Sequence, residues 1–103
     1  ADEALRVLDA MNEGATDRVL TYRGFVLRKA RRYDESLAAY AAALAQNPDN
    51  ILARSYLGMA LVEMGDQTKA KEQLTEIRAR GGAGSRAEAA LDAAITTGKA
   101  DNY

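Results

Sequence analysis

Residues 17–50 read DRVLTYRGFVLRKARRYDESLAAYAAALAQNPDN, and residues 51–84 read ILARSYLGMALVEMGDQTKAKEQLTEIRARGGAG. Laid one over the other at an offset of thirty-four positions, the two segments agree where side-chain size matters most. Gly24 falls on Gly58, Leu27 on Leu61 and Tyr22 on Tyr56, while Phe25 meets Met59 and Tyr40 meets Leu74. The later halves keep small or apolar residues in step, Ser36 on Ala70 and Ala43 on Ile77. A self-similarity at this period means that one supersecondary unit has been copied, and that each copy covers its apolar face by stacking on the next.

Within each copy, apolar and small residues recur every three or four positions, the period of a helix buried on one side. No stretch alternates as a strand does. Breakers fall at 12–16, 31–34, 47–50, 65–66 and 81–85, the third containing the only proline, Pro48. They predict six short helices at about 2–13, 17–30, 34–46, 51–64, 67–80 and 86–97, joined by connections so short that neighbours must run antiparallel. The fold class is therefore all-α.

The spacing of the large and small residues resembles the tetratricopeptide repeat. The first copy supplies Leu20, Gly24, Leu27, Ser36, Tyr40, Ala43 and Pro48 at the signature positions, and the second supplies Leu57, Gly58, Leu61, Ala70, Leu74 and Ile77. Three positions depart: Arg23 stands where leucine is expected, Arg54 where a large apolar residue is expected, and Gly82 replaces the closing proline. The resemblance implies a single domain of helical hairpins stacked as a right-handed superhelix. Its parts would be an N-terminal half repeat at 1–16, repeats at 17–50 and 51–84, and a capping helix and tail at 85–103. Ala4, Leu8 and Met11 carry the half repeat, and Ala87, Leu91, Ala94 and Ile95 give the last helix its apolar face. Alanine-rich usage and the ending SRAEAALDAAITTGKADNY resemble small exported bacterial repeat proteins, which would favour the periplasm over the cytoplasm.

Composition narrows the chemistry. The chain has 103 residues, 48% of them hydrophobic, enough for a modest core, and a formal net charge of −1 that gives no general attraction for polyanions. It contains neither Cys nor His, which removes disulfides, thiol nucleophiles, imidazole bases and the usual zinc ligands. No run of eighteen apolar residues is present, so no membrane-spanning helix is expected. The chain opens on Ala1 without Met or a charged-then-apolar leader, which suggests a trimmed or processed product.

Two stretches invite a sharper reading. RKARRY at 28–33 has the look of a site for nucleic acid, yet it falls in the last turn of one helix and the connection after it. Cations there complement the helix's negative end, and Asp34 and Glu35 then open the next helix, so the run reads as punctuation. RGGAGSRAE at 80–88 shares only its glycines with a phosphate loop, lacking the Lys-Ser/Thr pair and the preceding strand, and reads as an inter-repeat turn. The carboxylates Asp34, Glu35, Glu63, Asp66, Glu72 and Glu76 show no spacing that sets an acid/base pair apart from a solvated face. No catalytic residue, metal ligand or cofactor is assigned.

In the family, the first helix of each unit lines a concave face, and the resemblance implies a peptide-binding groove there. The matching positions are Arg18, Thr21, Phe25, Arg28 and Lys29 in the first copy, Leu52, Ser55, Met59, Val62 and Glu63 in the second, and Arg86 in the last helix. This stripe is apolar down the middle and basic on one flank, which suits a protein or peptide client with hydrophobic anchors and some acidic groups. The family's clamp for chaperone tails needs lysine and two asparagines where Thr21, Phe25 and Tyr56 stand, so that client is not expected. An adaptor or assembly scaffold is the function implied; self-association through the terminal helices is the alternative.

Overall fold

A computed structural model describes residues 16–100 and Glu3 of the chain. The described residues form helices and turns without a strand: α1 (Asp17–Lys29), α2 (Tyr33–Gln46), α3 (Ile51–Glu63), α4 (Gln67–Ile77) and α5 (Arg86–Thr97), with a kinked turn at Arg78–Gly82 after α4 in which Arg80 and Gly81 leave helical backbone angles. The expected helix at 2–13 lies outside them. Close contacts divide the chain into two compact units, Ala1–Asn50 and Ile51–Tyr103, with the division at the boundary between the two sequence copies.

In the first unit, α1 and α2 form an antiparallel hairpin. Thr16 starts α1, its hydroxyl accepting the amide of Val19, with Asp17 in the positively polarised first turn and Arg28 and Lys29 in the last. The chain then reverses in a Schellman turn: the amide of Arg31 donates to Arg28 O at 2.9 Å and that of Arg32 to Leu27 O at 2.8 Å, with Arg31 at φ 62°. Gly24 faces the wholly buried ring of Tyr40, whose Cε1 lies 2.5 Å from where a β-carbon would stand. Beside it the buried Ser36 hydroxyl donates to Gly24 O at 2.7 Å.

The loop after α2 closes on the start of α1. Asn47 and Asn50 both donate to the Asp17 carboxylate, and Asn50 also donates to the hydroxyl of Thr21, which itself donates to Asp17 O at 2.7 Å. The turn around Pro48 is thus tied into its own repeat by side-chain amides.

In the second unit α3 is buried along most of its length, and both α4 and α5 pack on it. The α3–α4 turn repeats the Schellman geometry with Gly65 at φ 85°, its amide donating to Val62 O while that of Asp66 donates to Leu61 O. The Asp66 carboxylate then accepts the amide of Lys69 as N-cap of α4. Gly58, the counterpart of Gly24, has as its nearest neighbour the wholly buried Leu91 of α5. Alongside, the buried Ser55 hydroxyl donates to Ala87 O at 2.8 Å.

Gly82 occupies the place of the expected proline for a steric reason: a β-carbon there would stand 2.5 Å from Ile77 Cγ2 and 2.7 Å from Ile77 O. The turn that follows is fastened by Glu88. One of its carboxylate oxygens accepts the amide of Gly84 at 2.9 Å and the other Arg78 Nε at 2.6 Å. Ser85 caps α5 by accepting the amide of Glu88. Both hydrogen bonds to Glu88 hold its carboxyl below the usual value, the amide of Gly84 contributing most and Arg78 next.

Candidate interaction surface

The expected groove positions divide by burial. In α1, Arg18 and Lys29 are exposed and Phe25 is half-buried. The Lys29 ammonium stands 5.4 Å from the centroid of the Phe25 ring and the Arg28 guanidinium 5.5 Å, so a cation flanks an apolar surface that water partly reaches. In the second unit Leu52 is half-buried, and Glu63 and Arg86 are exposed.

The other expected contacts lie inside. Arg28 is 1% exposed and Met59 2%, and Thr21, Ser55 and Val62 are buried with them. The hydroxyls of Thr21 and Ser55 donate to Asp17 O and Ala87 O, bonds that tie these residues into the fold. Phe25 and Met59 correspond in sequence yet differ in exposure, as do Tyr22, 42% exposed, and the buried Tyr56.

The departures from the expected repeat pattern have physical explanations. Arg54, nearly buried, donates from Nη1 to Gln73 Oε1 at 3.1 Å and so links α3 to α4 where an apolar residue was expected to pack. Arg23 is half-buried on the wall of an open cleft of about 440 Å³ between α1 and α2, floored by Leu20, Leu27, Ala38, Ala39 and Ala42. A long stem with a polar head suits such a wall.

Most of the charged stretches hold structure together. Arg32 grips the Glu35 carboxylate through two hydrogen bonds of 2.8 and 2.7 Å, which hold the Glu35 carboxyl below its usual value. Glu76 pairs with Arg80 at 2.9 Å, and Asp66 caps α4. In the glycine-rich turn the amide of Gly84 donates to Glu88 and that of Ser85 to Gly82 O. Among the described residues no group of His, Cys, Asp or Glu is placed to hold a metal ion, and no helix is long and apolar enough to cross a membrane.

Sequence reasoning missed the Asp17–Thr21–Asn50 network and the Glu88 clasp. A signal for each existed: two asparagines flank Pro48 and Asp49, and Ser85-x-x-Glu88 is a capping box whose glutamate here turns to the loop instead of the cap amide.

Hairpins copied at a thirty-four-residue period, with a glycine at the close approach in each copy, define a helical repeat protein. A family model described as tetratricopeptide repeat matches residues 27–95, and the chain belongs to that family. Proteins of the family generally mediate protein–protein interaction. No match was found among curated proteins or among solved structures.

Proposed function

We infer that the chain is a non-catalytic interaction module that holds a protein or peptide segment on the first-helix faces of its repeats, acting as an adaptor or assembly scaffold. The observation carrying this reading is Phe25, a half-buried ring flanked at 5.4 Å by the exposed Lys29. An apolar side chain that already keeps one face against protein loses little entropy on binding, and a cation beside it selects a client with a carboxylate next to its anchor. Arg18 extends the basic flank, and Leu52, Glu63 and Arg86 supply the corresponding contacts of the second unit. Thr21, Arg28, Ser55, Met59 and Val62 support this surface from within.

The alternative, pairing of chains through the terminal helices, draws no support from α5. Its exposed positions include Arg86, Ala89, Asp92, Ala93, Thr96 and Thr97, all small or polar.

Panning a random dodecapeptide phage library over the immobilised full chain tests the reading. Enriched peptides should combine an apolar anchor with acidic neighbours and should fail to bind a folded Phe25→Ala variant. Enrichment indifferent to that substitution would overturn it.

A further inference from the structure

Successive spacings of four, three and four residues set Arg18, Tyr22, Phe25 and Lys29 in one stripe along α1, about 16 Å long by the rise of a helix. Arg18 and Lys29 are exposed, Tyr22 is 42% exposed and Phe25 is half-buried. The stripe therefore reads cation, aromatic, aromatic, cation. The one carboxylate of α1, Asp17, accepts the side-chain amides of Asn47 and Asn50.

The second copy shows the same stripe built into a core. Its counterparts in α3 are Leu52, Tyr56, Met59 and Glu63; Tyr56 and Met59 are buried, and the ends carry an apolar and an acidic residue. The copy that leaves its central side chains open to water is the one that ends them with cations. Three properties of this face select its occupant. Cations at both ends call for an acidic group at each. The amides and carbonyls of α1 are paired along the helix, so an extended segment lying here would find no backbone partner, whereas a helix arrives with its own backbone already paired. A second copy of the stripe, laid parallel or antiparallel, would set cation against cation, which disfavours self-pairing through this face.

We propose that this face of α1 docks an amphipathic helix of a partner protein, one carrying two apolar anchors a turn apart and a carboxylate a turn outside each. The proposal rests on the reading that the chain recognises proteins through Phe25, and it adds Tyr22 as the second anchor and a helical conformation of the client as the requirement. A phenol suits such a contact, its ring packing on an apolar side chain while its hydroxyl stays at the wet edge. The spacing is the same read from either end, so the partner helix docks in either direction. Anionic lipid or nucleic acid is the poorer match, because two exposed cations on a chain of net charge −1 give few phosphate contacts.

The test titrates the full chain into a fluorescein-labelled, hydrocarbon-stapled alanine/glutamine helix that carries glutamate, leucine, leucine and glutamate at the spacing of the stripe, followed by anisotropy. Binding should saturate, and an unstapled peptide of the same residues interrupted by two prolines should bind roughly tenfold more weakly or worse. Tyr22→Ala should weaken binding of the stapled helix by roughly tenfold while leaving Tm unchanged. With both glutamates of the probe replaced by lysine, the parent chain should no longer bind, and an Arg18→Glu, Lys29→Glu double variant should restore binding, a rescue that a merely structural effect would not produce. Tight binding of the proline-interrupted peptide that is lost in Phe25→Ala would leave the anchor reading standing and overturn this one. The proposal is equally overturned by a stapled helix that does not bind, by unchanged affinity in a folded Tyr22→Ala chain, by a charge exchange without rescue, or by preference for phosphatidylglycerol vesicles or single-stranded DNA over the helix.

Discussion

The ring of Tyr40 lies where a β-carbon on Gly24 would have to stand, 2.5 Å from its Cε1. That single relationship fixes how closely α1 and α2 approach, and it explains why a residue that weakens an isolated helix by roughly 1 kcal/mol sits in the middle of one. Gly24→Ala should therefore destabilise by about 1–3 kcal/mol despite its better helix propensity, since a wholly buried ring must move. Gly58→Ala should cost less, because its nearest neighbours are the methyl ends of Leu91, which a χ rotation can shift. Chemical denaturation of both variants checks the order; a Gly24→Ala protein as stable as the parent would mean that the hairpin is looser than described.

The hydroxyls of Thr21 and Ser55 separate structure from recognition. Thr21→Val keeps the shape but removes the donor to Asp17 O and the acceptor for Asn50, and should lower stability by about 1–3 kcal/mol. Ser55→Ala should cost about 1 kcal/mol through the lost bond to Ala87 O. Neither should change affinity for a peptide enriched on the parent chain. Unaltered melting with weakened binding in either variant would return that residue to the contact surface.

Acid should loosen the second unit through Glu88. Its folded-state carboxyl titrates below the ordinary 4.5, so the stabilisation it provides is fully present above that value and is lost as pH falls through the depressed one. Glu35, held by Arg32, titrates in the same sense. Tm should therefore be insensitive to these groups from neutral pH to about 5 and should fall below about 4.5. Glu88→Gln should lower Tm at neutral pH and flatten the acid limb. A parent and Glu88→Gln pair with parallel pH profiles would show that the clasp contributes nothing.

The repeat was legible because close packing leaves few choices: a glycine where helices touch, and large residues at fixed intervals around it. Helix starts were legible at 17, 67 and 86 from the breaker segments before them, and the structure adds that Thr16, Asp66 and Ser85 cap those helices. The surface was less so. Phe25 and Met59 occupy the same repeat position, yet one is half-buried and the other buried, since exposure depends on what the fold lays over a position and not on the position itself. Arg28 and Lys29 are adjacent cations, one inside and one outside, for the same reason. The left-handed turn at Arg31 was invisible because sequence gives the residue and not the sign of φ.

The most direct test of the central claim is the paired behaviour of Phe25→Ala and Leu27→Ala, measured by thermal melting and by calorimetric titration with peptides enriched on the parent chain. If Phe25 is a client anchor, its truncation should leave Tm nearly unchanged and weaken binding by on the order of 2 kcal/mol or more, about thirtyfold. Leu27, buried in the hairpin, should cost about 2–5 kcal/mol of folding free energy when truncated. A collapse in Tm for Phe25→Ala together with a mild Leu27→Ala, or full peptide affinity in a folded Phe25→Ala chain, would contradict the account.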